Sequence, residues 1–271
     1  FITLALLLSL GSCDSILDVF PKDKLYAKAY FRTETEIQLF TNNFYEDLFP
    51  GASSIYGETA DIIIVSTLDE EVSGQRSVPA SGGGWSFSAL RNINFYLNNS
   101  SNCKDKDIRN QYDGLAKFCR AYFYFEKVKR FGDVPWYNEV LRSTDEALYK
   151  PRGSGIMVIA SGLQDIDFAI QHLPNEKHLY KVSKWTALAL KSRIGLFEGT
   201  FRKYHGIEGY NKFLDAAIEA SETLMTESGY SLYTAGSTPY QDLFATLDAN
   251  PTEVILARDF DANLSLTHSV Q

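Results

Sequence analysis

Thiols, imidazoles and basic charge are all in short supply in this chain of 271 residues. There are three Cys and four His, and 26 Lys and Arg stand against 34 Asp and Glu, for a net charge of −8. An acidic balance argues against a nucleic-acid or anionic-lipid partner, since both require clustered Lys and Arg. His172 and His178 have no third partner at metal-ligand spacing and are read as surface residues. Apart from Cys13, only Cys103 and Cys119 remain. Secretion would permit a bridge between them, but Cys119 lies in a strongly helical, aromatic stretch and reads better as a small buried hydrophobe. The triplet Gly82-Gly83-Gly84 is not followed by Gly-Lys-Ser/Thr, so it is no phosphate loop. There is no Gly-x-Ser-x-Gly elbow. No motif calls for a cofactor or for catalysis.

Carboxylates cluster once, at Asp69, Glu70 and Glu71. Glycoside hydrolysis needs two carboxyl groups facing each other across the scissile bond, roughly 5–9.5 Å apart, which adjacent residues of one loop seldom achieve. A solvated turn fits the cluster better; its oxygens also suit Ca²⁺.

What the chain does have begins at its first residue. Phe1 to Ser12 is apolar or small throughout, and no charge appears before Asp14. The run is shorter than the roughly 20 apolar residues of a transmembrane helix but suits the apolar core of a secretion signal. It is read as a signal remnant over 1–12, clipped at its front. Leu10-Gly11-Ser12-Cys13 resembles a lipobox, in which small residues let the peptidase close on the backbone before the cysteine that takes the lipid. Acyl chains on Cys13 would supply the two or more anchors that stable membrane attachment requires. The competing readings are an ordinary signal with a chance cysteine, or a buried strand. No later segment is long enough to cross a bilayer.

Helical periodicity dominates the remainder. Thr33-x-x-Glu36 forms a capping box, followed by Ile37, Phe40, Phe44 and Leu48, with Pro50-Gly51 as a stop. Asp61 to Val65 reads as a short strand or buried segment, and 69–84 as a loop. Leu90, Ile93 and Leu97 mark a second helix. The strongest pattern runs from about Asp105 to Phe131, with Ile108, Tyr112, Leu115, Cys119, Tyr122 and Val128 on one face, and Gly132 and Pro135 ending it. Further helices are expected from Ser154 to Leu173, from Ser183 to Tyr204, where Ala187, Ala189 and Gly195 allow close contact, and from Tyr210 to Glu227. Tyr230–Tyr233 and Glu253–Asp259 look like strands. Consecutive long helices with short loops suggest antiparallel pairs, the unit of helical repeat arrays, here without a strict period.

Several blocks carry a family resemblance. Arg120-Ala121-Tyr122-Phe123-Tyr124-Phe125 followed by Arg130-Phe131-Gly132-Asp133-Val134-Pro135 resembles the signature of the SusD/RagB family of nutrient-capture lipoproteins. In the family's order come Arg91-Asn92-Ile93-Asn94-Phe95-Tyr96-Leu97, Pro151-Arg152-Gly153, Asp165-Ile166-Asp167-Phe168-Ala169-Ile170 with Leu173-Pro174, Ala187 to Arg193, Glu198 to Tyr204, and Glu253-Val254-Ile255. The resemblance covers Cys13 to about Asp261. It implies a mainly α fold of tetratricopeptide-like helical pairs with long loops and a few short strands. Residues 13–271 would form the helical N-terminal portion of a SusD-like domain in a longer protein.

It also implies an outer-membrane, lipid-anchored, outward-facing protein that binds without catalysing. Such a protein captures oligosaccharides, or peptides in some relatives, and hands them to a SusC-like TonB-dependent transporter. A secreted glycosidase is the remaining alternative. Trp85 falls where the family has a binding loop, so its ring would stack on a sugar or else anchor the loop to the next helix. Arg91 and Asn94 would hydrogen-bond sugar hydroxyls or else brace that loop.

Overall fold

Helix starts follow local capping chemistry. In the computed structural model, which describes residues 30–49 and 72–261 together with 68, 70 and 263, the Thr33 hydroxyl accepts from the Glu36 amide. The Glu36 carboxylate returns to the Thr33 amide, closing the expected box on α1 (Glu34–Thr41). A single long helix was expected to Leu48, but the chain breaks at Asn42 and resumes as α2 (Asn43–Leu48). Then come α3 (Ser88–Asn99), α4 (Lys106–Phe131), α5 (Gly155–His172), α6 (Lys184–Tyr204) and α7 (Asn211–Glu227). Asp105 caps α4 through its carboxylate. Gly132 ends it with a positive φ of 66° but a ψ of −110°, outside the left-handed helical well expected there. A short helix, α8 (Pro239–Ala245), was not anticipated. Cys13, Pro50-Gly51 and the Asp61–Val65 segment lie outside the described residues.

No strand forms among the described residues, which corrects the expectation at Tyr230–Tyr233 and Glu253–Asp259. Residues 251–253 form a turn, and the Val254 amide bonds back to Asn250. The two segments meet through one backbone bond, Ser231 to Thr252 (3.0 Å), while the Tyr233 amide is taken by the Glu253 carboxylate (2.8 Å). A strand needs a repeating ladder, and one backbone bond does not make one. Only an isolated antiparallel bridge, Val134 with Gly153, appears among the described residues.

The helices pack as antiparallel neighbours, in the mainly α arrangement expected. On α4, Gly114 lies beside Ala169 and Leu173 at the far end of α5, and Gly162 faces Ala121 at mid-length. At the start of α5, Gly155 meets Val128 and Gly132. The same ordering relates α6 and α7, from the Lys184–Glu227 ion pair to the Ser192–Ser221 hydroxyl contact (2.7 Å) and the Gly195–Ala217 approach.

α4 is the spine. Its predicted face is inside, with Tyr112, Leu115 and Cys119 buried, but so are Ala116, Phe118, Ala121, Phe123, Tyr124 and Phe125, because α1, α2, α3 and α5 cover several sides of it. Cys103 and Cys119 are both buried and free, and burial pushes the Cys119 thiol up. Within this apolar surround sits Arg120, which grips Asp165 of α5 in a two-pronged pair (2.7 and 2.8 Å). Its third nitrogen donates to Asn94 Oδ1 of α3 (3.3 Å). A second buried pair, Arg202 with Glu198 (2.7 Å), closes the last turns of α6 over the Phe213 ring.

Two predictions follow from packing. Removing one partner of a buried pair strands the other charge, so Asp165→Ala should cost about 3–5 kcal/mol in urea unfolding. A loss below about 1 kcal/mol would show that the pair is not what joins α4 to α5. A Cβ on Gly195 would stand 2.6 Å from the Phe213 carbonyl oxygen, whereas one on Gly114 would find nothing nearer than 3.5 Å. Gly195→Ala should therefore destabilise by about 1–3 kcal/mol, while Gly114→Ala should be neutral or stabilise by up to about 1 kcal/mol. Equal melting temperatures for the two variants would contradict this packing.

Candidate functional site

The loop before α3 is shaped by its glycines. Gly82, Gly83 and Gly84 all have positive φ, a conformation that a side chain would strain, and the Trp85 amide closes the turn onto the Gly82 carbonyl (3.1 Å). The loop is fastened to the C-terminal end of α4. Lys127 Nζ donates to the Gly84 carbonyl, and the Arg130 side chain packs over Gly84, leaving only 3.4 Å for a Cβ.

Trp85 then lies edge-on to Phe131 (ring centroids 4.9 Å, 88°) and to Phe87 (5.3 Å, 74°). Phe87 in turn meets Phe123 and Tyr137 edge-on (5.6 and 5.8 Å). The rings form a ladder from the core of α4 outward, ending on an indole that remains 39% exposed. The Arg152 guanidinium lies over that indole at 4.8 Å, a cation–π distance. Arg152 also donates to the Asp133 carbonyl (3.4 Å).

The structure separates the three residues that the sequence nominated. Trp85 is both things at once, a loop anchor on Phe131 and a partly exposed ring. Arg91 is exposed and donates to the Leu141 carbonyl (2.5 Å). Asn94 is 1% exposed; its amide donates to the Tyr137 and Glu139 carbonyls (3.0 and 3.3 Å) and its oxygen accepts from Arg120. The expectation of a sugar contact at Asn94 is therefore corrected: it braces residues 137–139 against α3. Of the acidic cluster, Asp69 and Glu71 lie outside the described residues, and Glu70 is an exposed turn residue whose carbonyl accepts from Gln75 and Ser73. Lys127, Arg130 and Arg152 were passed over because they stand at helix ends, where they read as punctuation.

A cleft of about 1040 Å³ opens elsewhere, walled by α1, α2, the first turns of α4, the segment before α6 and residues 256–260; none of Trp85, Arg91 and Asn94 lines it. Gln111 and Tyr112 of its wall precede Lys127 by roughly four turns of α4, about 22 Å at 1.5 Å per residue. Two of its tyrosines are held by internal contacts. Tyr112 donates to Glu34 (3.3 Å), and burial with that carboxylate pushes its hydroxyl up to about 12. The Val182 amide donates to the Tyr45 hydroxyl (3.0 Å).

Residues 85–196, from Trp85 through most of α6, match a SusD-like family model described as starch-binding and associating with the outer membrane. The SusD-like protein P38 of Formosa agariphila is 24% identical over 92% of this chain and 50% of its own length. The chain is thus similar to SusD-like proteins along most of its length. P2 from the same organism is 25% identical over 92% of this chain and 49% of its own; the chain spans about half the length of the curated relatives it matches.

Solved SusD-like structures share the fold. A SusD homologue from Bacteroides thetaiotaomicron superposes with a TM-score of 0.67 at 20% identity, covering 85% of this chain and 47% of that one. A crystal structure with a xylogluco-oligosaccharide superposes with a TM-score of 0.55 at 18% identity, covering 80% of this chain and 42% of the other.

Proposed function

We propose that the chain is the helical part of a lipid-anchored, cell-surface glycan-binding protein. It captures oligosaccharides and passes them to a SusC-like TonB-dependent transporter in the outer membrane, binding its ligand without turning it over. The Trp85 platform carries this reading. An indole that is 39% exposed, and held edge-on by Phe87 and Phe131, offers a flat apolar surface beside a polar tip. Because its rotamer is already set by packing, little side-chain freedom is lost when a ligand arrives. The C–H face of a pyranose suits such a surface, and Arg91 keeps further N–H donors at the surface for hydroxyls.

A relative solved with a xylogluco-oligosaccharide supports an oligosaccharide as the ligand class, and the family description supports the outer membrane. For the transporter, α6 and α7 leave Leu196, Phe201, Tyr204, Ile218 and Met225 exposed, apolar side chains available to a partner surface. Cys13, in its lipobox-like setting, supplies the tether.

Two measurements test the proposal. Trp85→Ala should weaken oligosaccharide binding by about 1–2 kcal/mol, by analogy with other aromatic contacts. Unchanged affinity in a variant that still folds would make Trp85 a loop anchor only. Cys13→Ala in the full-length protein should shift it from the membrane fraction to the soluble fraction; retention in the membrane would remove the anchor from the proposal.

A further inference from the structure

Three cationic side chains gather around the Trp85 platform. The protein as a whole is acidic, at −8, yet Lys127, Arg130 and Arg152 converge on this one indole and its loop. Arg152 lies over the ring at 4.8 Å, Arg130 packs against Gly84, and Lys127 faces the Phe87, Phe123 and Phe131 rings at 5.8, 5.0 and 5.8 Å. None of the three has a carboxylate within ion-pair distance among the described residues, although neighbours do: Lys129 is paired with Glu126 at 2.5 Å. Asp133, in the turn after α4, offers Arg152 only its main-chain carbonyl, and its carboxylate accepts from the Gly155 amide at the start of α5 (2.8 Å). Crowding is felt within the cluster, since burial and then the Arg130 charge hold the Lys127 ammonium below its ordinary range.

Unmatched cations beside a half-exposed ring cost repulsion while the site is empty, and an anion relieves it. Guanidinium groups match carboxylate and sulfate geometry in particular. We propose that the Trp85 platform selects acidic saccharides, in which a sugar ring stacks on the indole while its carboxylate or sulfate pairs with Arg152 and Arg130. The proposal rests on the glycan-capture reading above and narrows its ligand class. The two Arg are the specificity-determining residues. Lys127, held by the Gly84 carbonyl and the ring faces, contributes field and loop position rather than a direct contact.

The test is calorimetric titration of the full chain at low and at physiological salt. The probes are oligogalacturonate, sulfated galacto-oligosaccharide, carboxyl-reduced oligogalacturonate and a neutral xylogluco-oligosaccharide. The expected result is binding of an acidic probe, weakened by salt, lost on carboxyl reduction if the uronate is the one bound, and reduced about tenfold by Arg152→Gln and by Arg130→Gln, the loss of a charge-assisted contact. Arg152→Lys should recover part of the affinity, and unchanged melting temperatures would exclude misfolding. Preference for the uronate over the sulfated probe, or the reverse, identifies the anionic group. Trp85-dependent binding of the neutral probe with no acidic probe bound, or acidic binding that neither Arg substitution alters, overturns the selectivity and leaves glycan capture standing. Failure of every probe, neutral and acidic alike, removes both.

Discussion

Three helices of this protein are held in register by a single charged side chain. Arg120 projects from the middle of α4 into surroundings that are otherwise aromatic and aliphatic, where a bare guanidinium would be intolerable. The cost is offset only because Asp165 arrives from α5 with both oxygens and Asn94 arrives from α3 with its carbonyl. Asn94 then passes the constraint on to the carbonyls of Tyr137 and Glu139. Trp136, just before them in the chain, is stacked on Tyr124 at 4.3 Å. Apolar packing alone would let α5 slide along α4 by a turn at modest cost. A two-pronged ion pair has one geometry, and so it fixes the register of α5 on α4.

The ring ladder toward Trp85 explains how a surface ring can be both exposed and well placed. Phe123 belongs to the core, Phe87 stands between core and loop, and Trp85 is the outermost rung, met from the other side by Phe131. Edge-to-face contacts fix orientation as well as distance. The glycine triplet contributes the tight path that lets a loop backbone lie on Lys127 and Arg130. Rigidity therefore comes from α4, and adaptability from the loop on top of it.

Much of this was legible in the residues. Thr33, Asp105 and Ser183 announce their helices because capping is local chemistry, settled within four residues. Gly195 was visible as a close-contact position because small residues on a helical face have few other uses. The rest depended on partners distant in sequence. Nothing near Asn94 reveals that Arg120 and residues 137–139 will consume its amide, so a buried brace resembled an exposed ligand contact. The segments around 230 and 253 carry the aromatic and β-branched residues of strands, but a ladder needs a neighbour and these have one backbone bond between them. Likewise Lys127, Arg130 and Arg152 come from two helix ends more than twenty residues apart, and only the turn after α4 places them on one indole.

The length of α4 has a consequence for orientation. Its 26 residues make a rod of about 39 Å. At one end the Tyr30 carbonyl accepts from Asn102 just before the rod begins (2.9 Å); at the other end Phe131 supports Trp85. Tyr30 and the indole thus stand at opposite ends of one stiff member. A ligand held on the indole therefore cannot also fill the cleft beside α1 unless it spans more than half the length of the rod.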